Sequence, residues 1–192
     1  MRTSLRDRLG DVAIPYVWSD DQLDGFIDSA VTGLYPVYYN FANEISEASG
    51  SGPLYPTPAG ARNLYRVGLM SSSSSRIRWL RGWSEGNSQC LIPKTNIAGY
   101  TIVWCWTEGF EPPVSDTLPL GIPLEAEEVV LLRSTKSALE ALLGNRVLKE
   151  RYYSLNARVA NTEDDIALTI DSINASIRER TEKAIPLPKV NS

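Results

Sequence analysis

The sequence has no histidine and two cysteines, Cys90 and Cys105. The missing histidine excludes catalytic triads built on imidazole and zinc sites that need imidazole ligands. Two cysteines cannot form a disulfide framework, and without other soft ligands they do not make a zinc site. They are expected to be free, buried thiols in a reducing compartment, unless strands bring them together to pair. No apolar run approaches the roughly 20 residues of a membrane-spanning helix. The start, Met1-Arg2-Thr3-Ser4-Leu5-Arg6-Asp7-Arg8, lacks the apolar core of a secretory signal. Residues 68–75, Gly-Leu-Met followed by five serines, lack the spaced glycines and the lysine of a phosphate-binding loop. No catalytic, metal-binding or cofactor-binding residue is assigned, and no enzyme activity is expected.

What the chain does have is a globular composition. Of its 192 residues, 43% are hydrophobic and 22% charged, enough to bury a proper core. The net charge of -4 argues against a general nucleic-acid coat, yet the charge is segregated. Residues 9–61 carry seven acidic side chains and no basic one, whereas residues 62–106 carry six basic and one acidic, a balance of +5. Segregation of this kind suits docking between copies or partners. It equally suits a neutralising contact inside one chain.

Residues 19–34 give the clearest local pattern. Leu23, Phe26, Ile27, Ala30, Val31 and Leu34 recur at helical spacing and form one apolar stripe. Ser19 with Gln22 reads as a capping box, and Asp20 and Asp21 complement the helix dipole. The opposite face is acidic. Asp20, Asp21, Asp24 and Asp28 form a candidate inter-subunit face; on a water-exposed helix they are a solvated surface rather than a cation site. Residues 3–11 predict a shorter helix through Leu5 and Leu9. Residues 12–17 read as a proline-containing connector. The stretch after Pro36 fits either helix or strand, and helix is the reading adopted. Residues 46–60 read as a loop.

From Arg62 the period changes. Strands are expected over 63–70, 76–83, 89–92 and 97–106, and Ser71 to Ser75 reads as a loop or turn. Residues 111–123 hold four prolines and predict a stiff extended linker. Helices follow. Val129, Leu132, Leu139, Leu142 and Leu143 mark the first, which Gly144 either ends or dents. A second is expected from about Thr162, with Ile166, Ile170, Ile173 and Ile177 forming a narrow seam. The whole predicts an α+β fold: a mostly helical core with an inserted antiparallel β subdomain and a long C-terminal helical segment. The boundaries are 1–61 for the N-terminal helical part, 62–110 for the β insertion, 111–124 for the linker, 125–185 for the C-terminal helices and 186–192 for an extended tail.

Arg76, Arg78 and Arg81 are candidate contacts to DNA or to an acidic partner. With Tyr65, Trp79 and Trp83 they could form a stacking and phosphate-binding surface. The plainer reading puts the aromatics in the core and the arginines on a solvated face. Of the five tryptophans, Trp104 and Trp106 share a strand face with Ile102 and are expected in the core, while others are candidate interface anchors.

The short first helix, then Trp18-Ser19-Asp20-Asp21-Gln22-Leu23 opening an amphipathic helix, resembles the N-terminal region of the head-to-tail adaptor (connector) proteins of long-tailed bacteriophages. The later long helices and proline-containing tail are also similar to that family, and the β insertion departs from its mostly helical minimal member. The resemblance implies a structural virion protein without a catalytic site, assembled in the host cytoplasm. It implies a ring of about twelve copies below the portal protein, extending the DNA channel without sequence-specific binding and presenting a surface to the next neck or tail protein. On this sequence it makes Ile185, Pro186, Leu187, Pro188, Lys189 and Val190 a candidate portal-docking tail, and it lets Ser71 to Ser75 order on assembly. Two other readings stay open: a nucleic-acid-binding regulator using the basic β segment, and another neck or tail-completion protein.

Overall fold

A computed structural model describes residues 1–47, 53–71, 73–93, 97, 99–112, 122–155, 162–184 and 186. The chain is α+β and divides into two compact units, Met1–Tyr38 with Phe110–Ile185, and Tyr39–Gly109 with Pro186–Ser192. The first is helical and the second is built of antiparallel strands.

The helical unit holds α1 (Arg2–Leu9), α2 (Asp20–Thr32), α3 (Leu124–Gly144), α4 (Arg146–Leu155) and α5 (Glu163–Glu182). The Ser19 capping box of α2 forms in both directions: Gln22 N donates to Ser19 Oγ at 3.3 Å, and Ser19 N to Gln22 Oε1 at 2.9 Å. Leu23, Ile27, Ala30, Val31 and Leu34 are buried, with Phe26 packed at the margin. The central helix is α3, in contact with α1, α2, α4 and α5. Its residues Val129, Val130, Leu131 and Leu132 are all buried, as expected where a helix is enclosed by neighbours rather than laid on one. Gly144 ends α3, and Asn145 starts α4 by accepting from Val147 N and Leu148 N. A second capping box, Thr162 with Asp165, opens α5, whose Ile166 and Ile173 are buried and Ile170 and Ile177 half-buried.

One buried charge pair fastens the start of this unit. Arg6 donates to Asp11 Oδ2 at 2.6 Å, to Trp18 O at 3.2 Å and to Asp20 Oδ1 at 2.6 Å. Asp11 in turn accepts from Val17 N at 2.6 Å and Trp18 N at 3.3 Å. The Arg6 guanidinium also lies 3.8 Å from the centre of the Tyr16 ring. The proline-containing connector is thereby held at both ends, and Trp18 is fully buried. Farther out, Glu128 of α3 takes both Arg8 of α1 and Arg180 of α5.

The β unit has a four-stranded sheet in the order β1 (Asn40–Glu47), β7 (Tyr100–Glu108), β3 (Asn63–Ser71), β4 (Ile77–Trp79), and a three-stranded sheet in the order β2 (Leu54–Pro56), β6 (Gln89–Leu91), β5 (Ser84–Gly86). Leu64, Val67, Leu69, Ile102, Trp104 and Trp106 share one face of the larger sheet and form a core with Tyr55, Trp83, Cys90, Ile92 and Ile97. The β5–β6 hairpin turns through Asn87 and Ser88, both at positive φ, which suits a two-residue turn. Gly68 is required by close packing. A Cβ there would stand 2.6 Å from Ile77 Cγ2 and 2.9 Å from the Trp79 ring.

Three expectations are corrected. The stretch after Pro36 is not helical from Asn40 onward: it forms β1, paired along its length with β7. The reason is tertiary, since Trp104 Nε1 donates to Ser46 Oγ at 2.7 Å and the β7 edge supplies a ladder no isolated segment has. The β unit therefore starts at Tyr39 rather than at 62. The expected loop over 46–60 contains strand residues at its start, where β1 ends, and in its second half, where Pro56 of β2 sits in an outer strand that tolerates a missing N–H. The strand expected over 76–83 shortens to Ile77–Trp79 because Gly82, at φ +73°, turns the chain. Most of the proline-rich linker, residues 113–121, lies outside the described residues, as does Ser72.

Two stability predictions follow from the packing. Asp11→Ala leaves Arg6 without its buried carboxylate and two amides without an acceptor, so urea unfolding should show a loss of about 3–5 kcal/mol. Gly68→Ala should cost about 1–3 kcal/mol by forcing Ile77 and Trp79 off the β3 backbone, read in the same measurement.

Candidate functional site

The basic segment is displayed as the sequence implied. Arg76 precedes β4, Arg78 lies on it and Arg81 follows it, and all three are exposed. The aromatics divide. Trp83 is buried with Trp104 and Trp106, and Trp18 lies in the helical core, so none of these can stack on a base. Trp79 alone of the five tryptophans is substantially exposed, and the Arg66 guanidinium lies 4.9 Å from its ring centre. Tyr65 occupies the irregularity between Leu64 and Arg66 and packs edge-on against Phe41 at 5.6 Å. The geometry thus separates the arginines from a stacking platform, leaving one Arg–Trp pair.

The acidic face of α2 is partly neutralised within its own unit. Arg2 donates to Asp24 at 2.7 and 2.9 Å and reaches Asp20 at 3.3 Å, and Arg6 holds the other Asp20 oxygen. The Arg6 hydrogen bond, aided by the charges of Arg2 and Arg6, keeps the Asp20 carboxyl below the usual carboxylate range. The α1 arginines therefore do what the basic β segment was the sequence-level candidate to do. Asp21 and Asp28 have no ion pair among the described residues. A surface cleft of about 290 Å³ opens beside this network, lined by Arg2, Thr3, Arg6, Asp7, Val12, Tyr16 and Asp20. Its charged groups are largely engaged with one another, so it offers no evident ligand anchor.

Both cysteines are free and buried. Burial, reinforced by the Glu85 carboxylate, pushes the Cys90 thiol up to about 12, which makes it inert at neutral pH. Burial also raises Cys105. Among the described residues there is no group of three or more His, Cys, Asp or Glu side chains placed to hold a metal, and no helix long and apolar enough to cross a membrane. Of the tail, Pro186 is described: its carbonyl accepts from the Tyr39 hydroxyl at 3.0 Å. Ile185, Leu187, Pro188, Lys189 and Val190 lie outside the described residues.

The surface that the sequence reading missed is the second face of the four-stranded sheet. The register places Phe41, Asn43 and Ile45 of β1 beside Thr107, Cys105 and Val103 of β7, on the face shared with Gly68, Met70, Ile77 and Trp79. Phe41, Ile45 and Trp79 are 63, 56 and 41% exposed. The alternation Tyr39, Phe41, Asn43, Ile45 is a period-two signal that a helical reading of the segment hides.

No protein-family model matches the chain, and no curated protein is significantly similar to it.

The Asp20 geometry carries a pH dependence. Its folded pKa is lowered, so its contribution to stability is present above the ordinary carboxylate range and lost as pH falls through about 4 and below. Urea midpoints measured at pH 7 and pH 3 should differ less in Asp20→Asn than in the parent chain. An equal difference would place the acid sensitivity elsewhere.

Proposed function

We propose that the chain is a structural, non-catalytic virion subunit: a head-to-tail adaptor that forms a ring between the portal protein and the neck or tail and extends the DNA channel. The observation that carries this reading is the helical unit. Its short α1, its Ser19-capped α2 and its long α3 and α5 form one core, and these are the segments whose sequence resembles the adaptor family. The β unit is an elaboration inserted between α2 and α3. A scaffold of this kind needs surfaces rather than a reaction site, and the exposed features are of that type: the apolar edges of a sheet face, the arginines around β4, and Asp21 and Asp28, which make no ion pair among the described residues. In the ring, Arg76, Arg78 and Arg81 would meet a neighbouring acidic surface or the DNA channel, and the tail from Ile185 would reach toward the portal.

The exposure of those arginines also favours a second reading, a nucleic-acid-binding regulator. That reading requires affinity falling steeply with salt and lost in the Arg76/Arg78/Arg81→Ala variant. A third, another neck or tail-completion protein, shares the ring-forming character and differs in copy number.

Native mass of the purified chain across a concentration series separates them. A closed ring near about twelve copies is the expected result. A smaller closed ring would move the assignment to a tail-completion part. A chain that stays monomeric at every concentration and also fails to bind a portal ring would overturn the adaptor reading.

A further inference from the structure

The two outer strands of the four-stranded sheet, β1 and β4, have no strand partner on their outer sides among the described residues. Unpaired strand edges are templates for another chain, and β1 is eight residues long with neither proline nor lysine; its charged residues are Glu44 and Glu47. We propose that the occupant of each edge is a second copy of this chain, with β1 of one subunit pairing antiparallel with β4 of the next. The sheet would then continue from subunit to subunit. This rests on the ring reading and specifies the contact that would build the ring.

Four features of the β unit are consistent with this pairing; the first three follow from one fact, an even-stranded antiparallel sheet, and the fourth selects the register. The first is direction. Each neighbour in the order β1-β7-β3-β4 is antiparallel, so β4 runs opposite to β1. A second copy's β1 placed outside β4, in the same sheet orientation, arrives antiparallel without further adjustment.

The second is the phase of the main-chain groups. Leu80 N donates to Val67 O at 2.9 Å, so residue 67 points toward β4. Successive residues of a strand point to opposite sides. Residue 68 therefore points to β7, its partner Val103 points back, Trp104 points to β1, and its partner Glu44 points back. Counting one residue along each outer strand leaves the N–H and C=O groups of Ile77 and Trp79 facing outward from β4, and those of Phe41, Asn43 and Ile45 facing outward from β1.

The third is the faces. Those same outward-bonding residues, Ile77 and Trp79 on one edge and Phe41, Asn43 and Ile45 on the other, lie on one face of the sheet. Residues that pair across an antiparallel ladder must share a face, and here they do. Half-buried Ile77 can then lie opposite exposed Ile45, and exposed Trp79 opposite Asn43, diagonal to Phe41 and Ile45.

The fourth is charge. With Ile77 set opposite Ile45 and Trp79 opposite Asn43, Arg78 falls opposite Glu44 on the other face, and Arg76 falls on the diagonal to Glu44. Glu44, Arg76 and Arg78 are all exposed and make no ion pair among the described residues. Opposite charges directly across a ladder are favourable and like charges are not. The contact is heterologous, since one edge of each subunit meets the other edge of its neighbour. Repetition of such a contact gives a closed ring where the rotation closes.

The test uses the full chain. In the proposed register, Glu44 and Arg78 form a non-hydrogen-bonded pair with Cα atoms about 4.5 Å apart, within the span of a disulfide. The double variant Glu44→Cys/Arg78→Cys, mildly oxidised at assembling concentration, should give a covalent ladder extending beyond the dimer. Each single-cysteine variant should stop at the dimer, and the parent chain, with both thiols buried, should give no ladder. In parallel, Glu44→Arg and Arg78→Glu alone should each weaken assembly at least tenfold by native mass, and the combined swap should restore it. Should the parent form a ring while the double-cysteine variant yields nothing beyond dimer and the charge reversals leave the mass unchanged, the edge pairing is wrong and the ring stands. A parent chain that remains monomeric throughout, gives no ladder from the double variant and fails to bind a portal ring would remove both.

Discussion

The helical unit depends on a single constraint, that the guanidinium of Arg6 and the carboxylate of Asp11 are both withdrawn from water and must satisfy each other. Their side chains are 10 and 2% exposed, and the pair is 2.6 Å long. A buried ion pair is a weak source of net stability, because desolvation offsets its attraction. Its value here is geometric. Arg6 also reaches Trp18 O and Asp20, and Asp11 also receives the amides of Val17 and Trp18. Six residues of irregular chain, which have no ladder of their own, are thus fixed by hydrogen bonds to two side chains. That fixes where Ser19 stands, hence where α2 starts, hence which side of α2 faces α3.

The β unit is organised differently. Its spine is β7, whose Ile102, Trp104 and Trp106 point into one core while Val103 and Cys105 occupy the opposite face. One strand can serve both faces because side chains alternate. The covered face holds the larger core; on the opposite one Val103, Cys105 and Thr107 are buried while Phe41, Ile45 and Trp79 at its edges stay exposed. Gly68 belongs to this second face and lets Ile77 and Trp79 lie against the backbone of β3.

Much of this was legible in the residues. The Ser19 capping box, the α2 stripe, the start of α5 near Thr162, its isoleucine seam and the aromatic strand β7 are local patterns, and local patterns are what a sequence states directly. β1 was not legible because its segment is ambiguous by composition and becomes a strand through pairing with residues some sixty positions later. The short strands β2 and β5 fall in the same class, since strands of three residues carry no period to read; β6, by contrast, lies within the strand expected over 89–92. The Arg6–Asp11 pair was hidden for another reason: an arginine in a short helix and an aspartate five residues on look like ordinary surface charges until the connector folds over them. On the candidate site, the exposure of Arg76, Arg78 and Arg81 was legible, but the fate of the aromatics beside them was not. Trp83 and Trp79 are four residues apart and end in opposite environments because Gly82 reverses the chain between them.

The charge segregation in the sequence resolves into two separate arrangements. Asp20 and Asp24 are answered by Arg2 and Arg6, from an N-terminal helix whose basic residues lie outside the basic segment. That leaves the arginines around β4 without the acidic counterpart the sequence offered them. On the far edge of the same sheet β1 carries the exposed carboxylate of Glu44. In a four-stranded sheet the two edges cannot reach each other, because three inter-strand spacings of about 4.8 Å separate them. A complementary pair of edges that cannot meet within one molecule can be satisfied by a second. The opposed charges at the ends of the sheet therefore act as a polarity, favouring head-to-tail contact and disfavouring edge-to-like-edge contact, where Arg78 would face Arg78 or Glu44 would face Glu44.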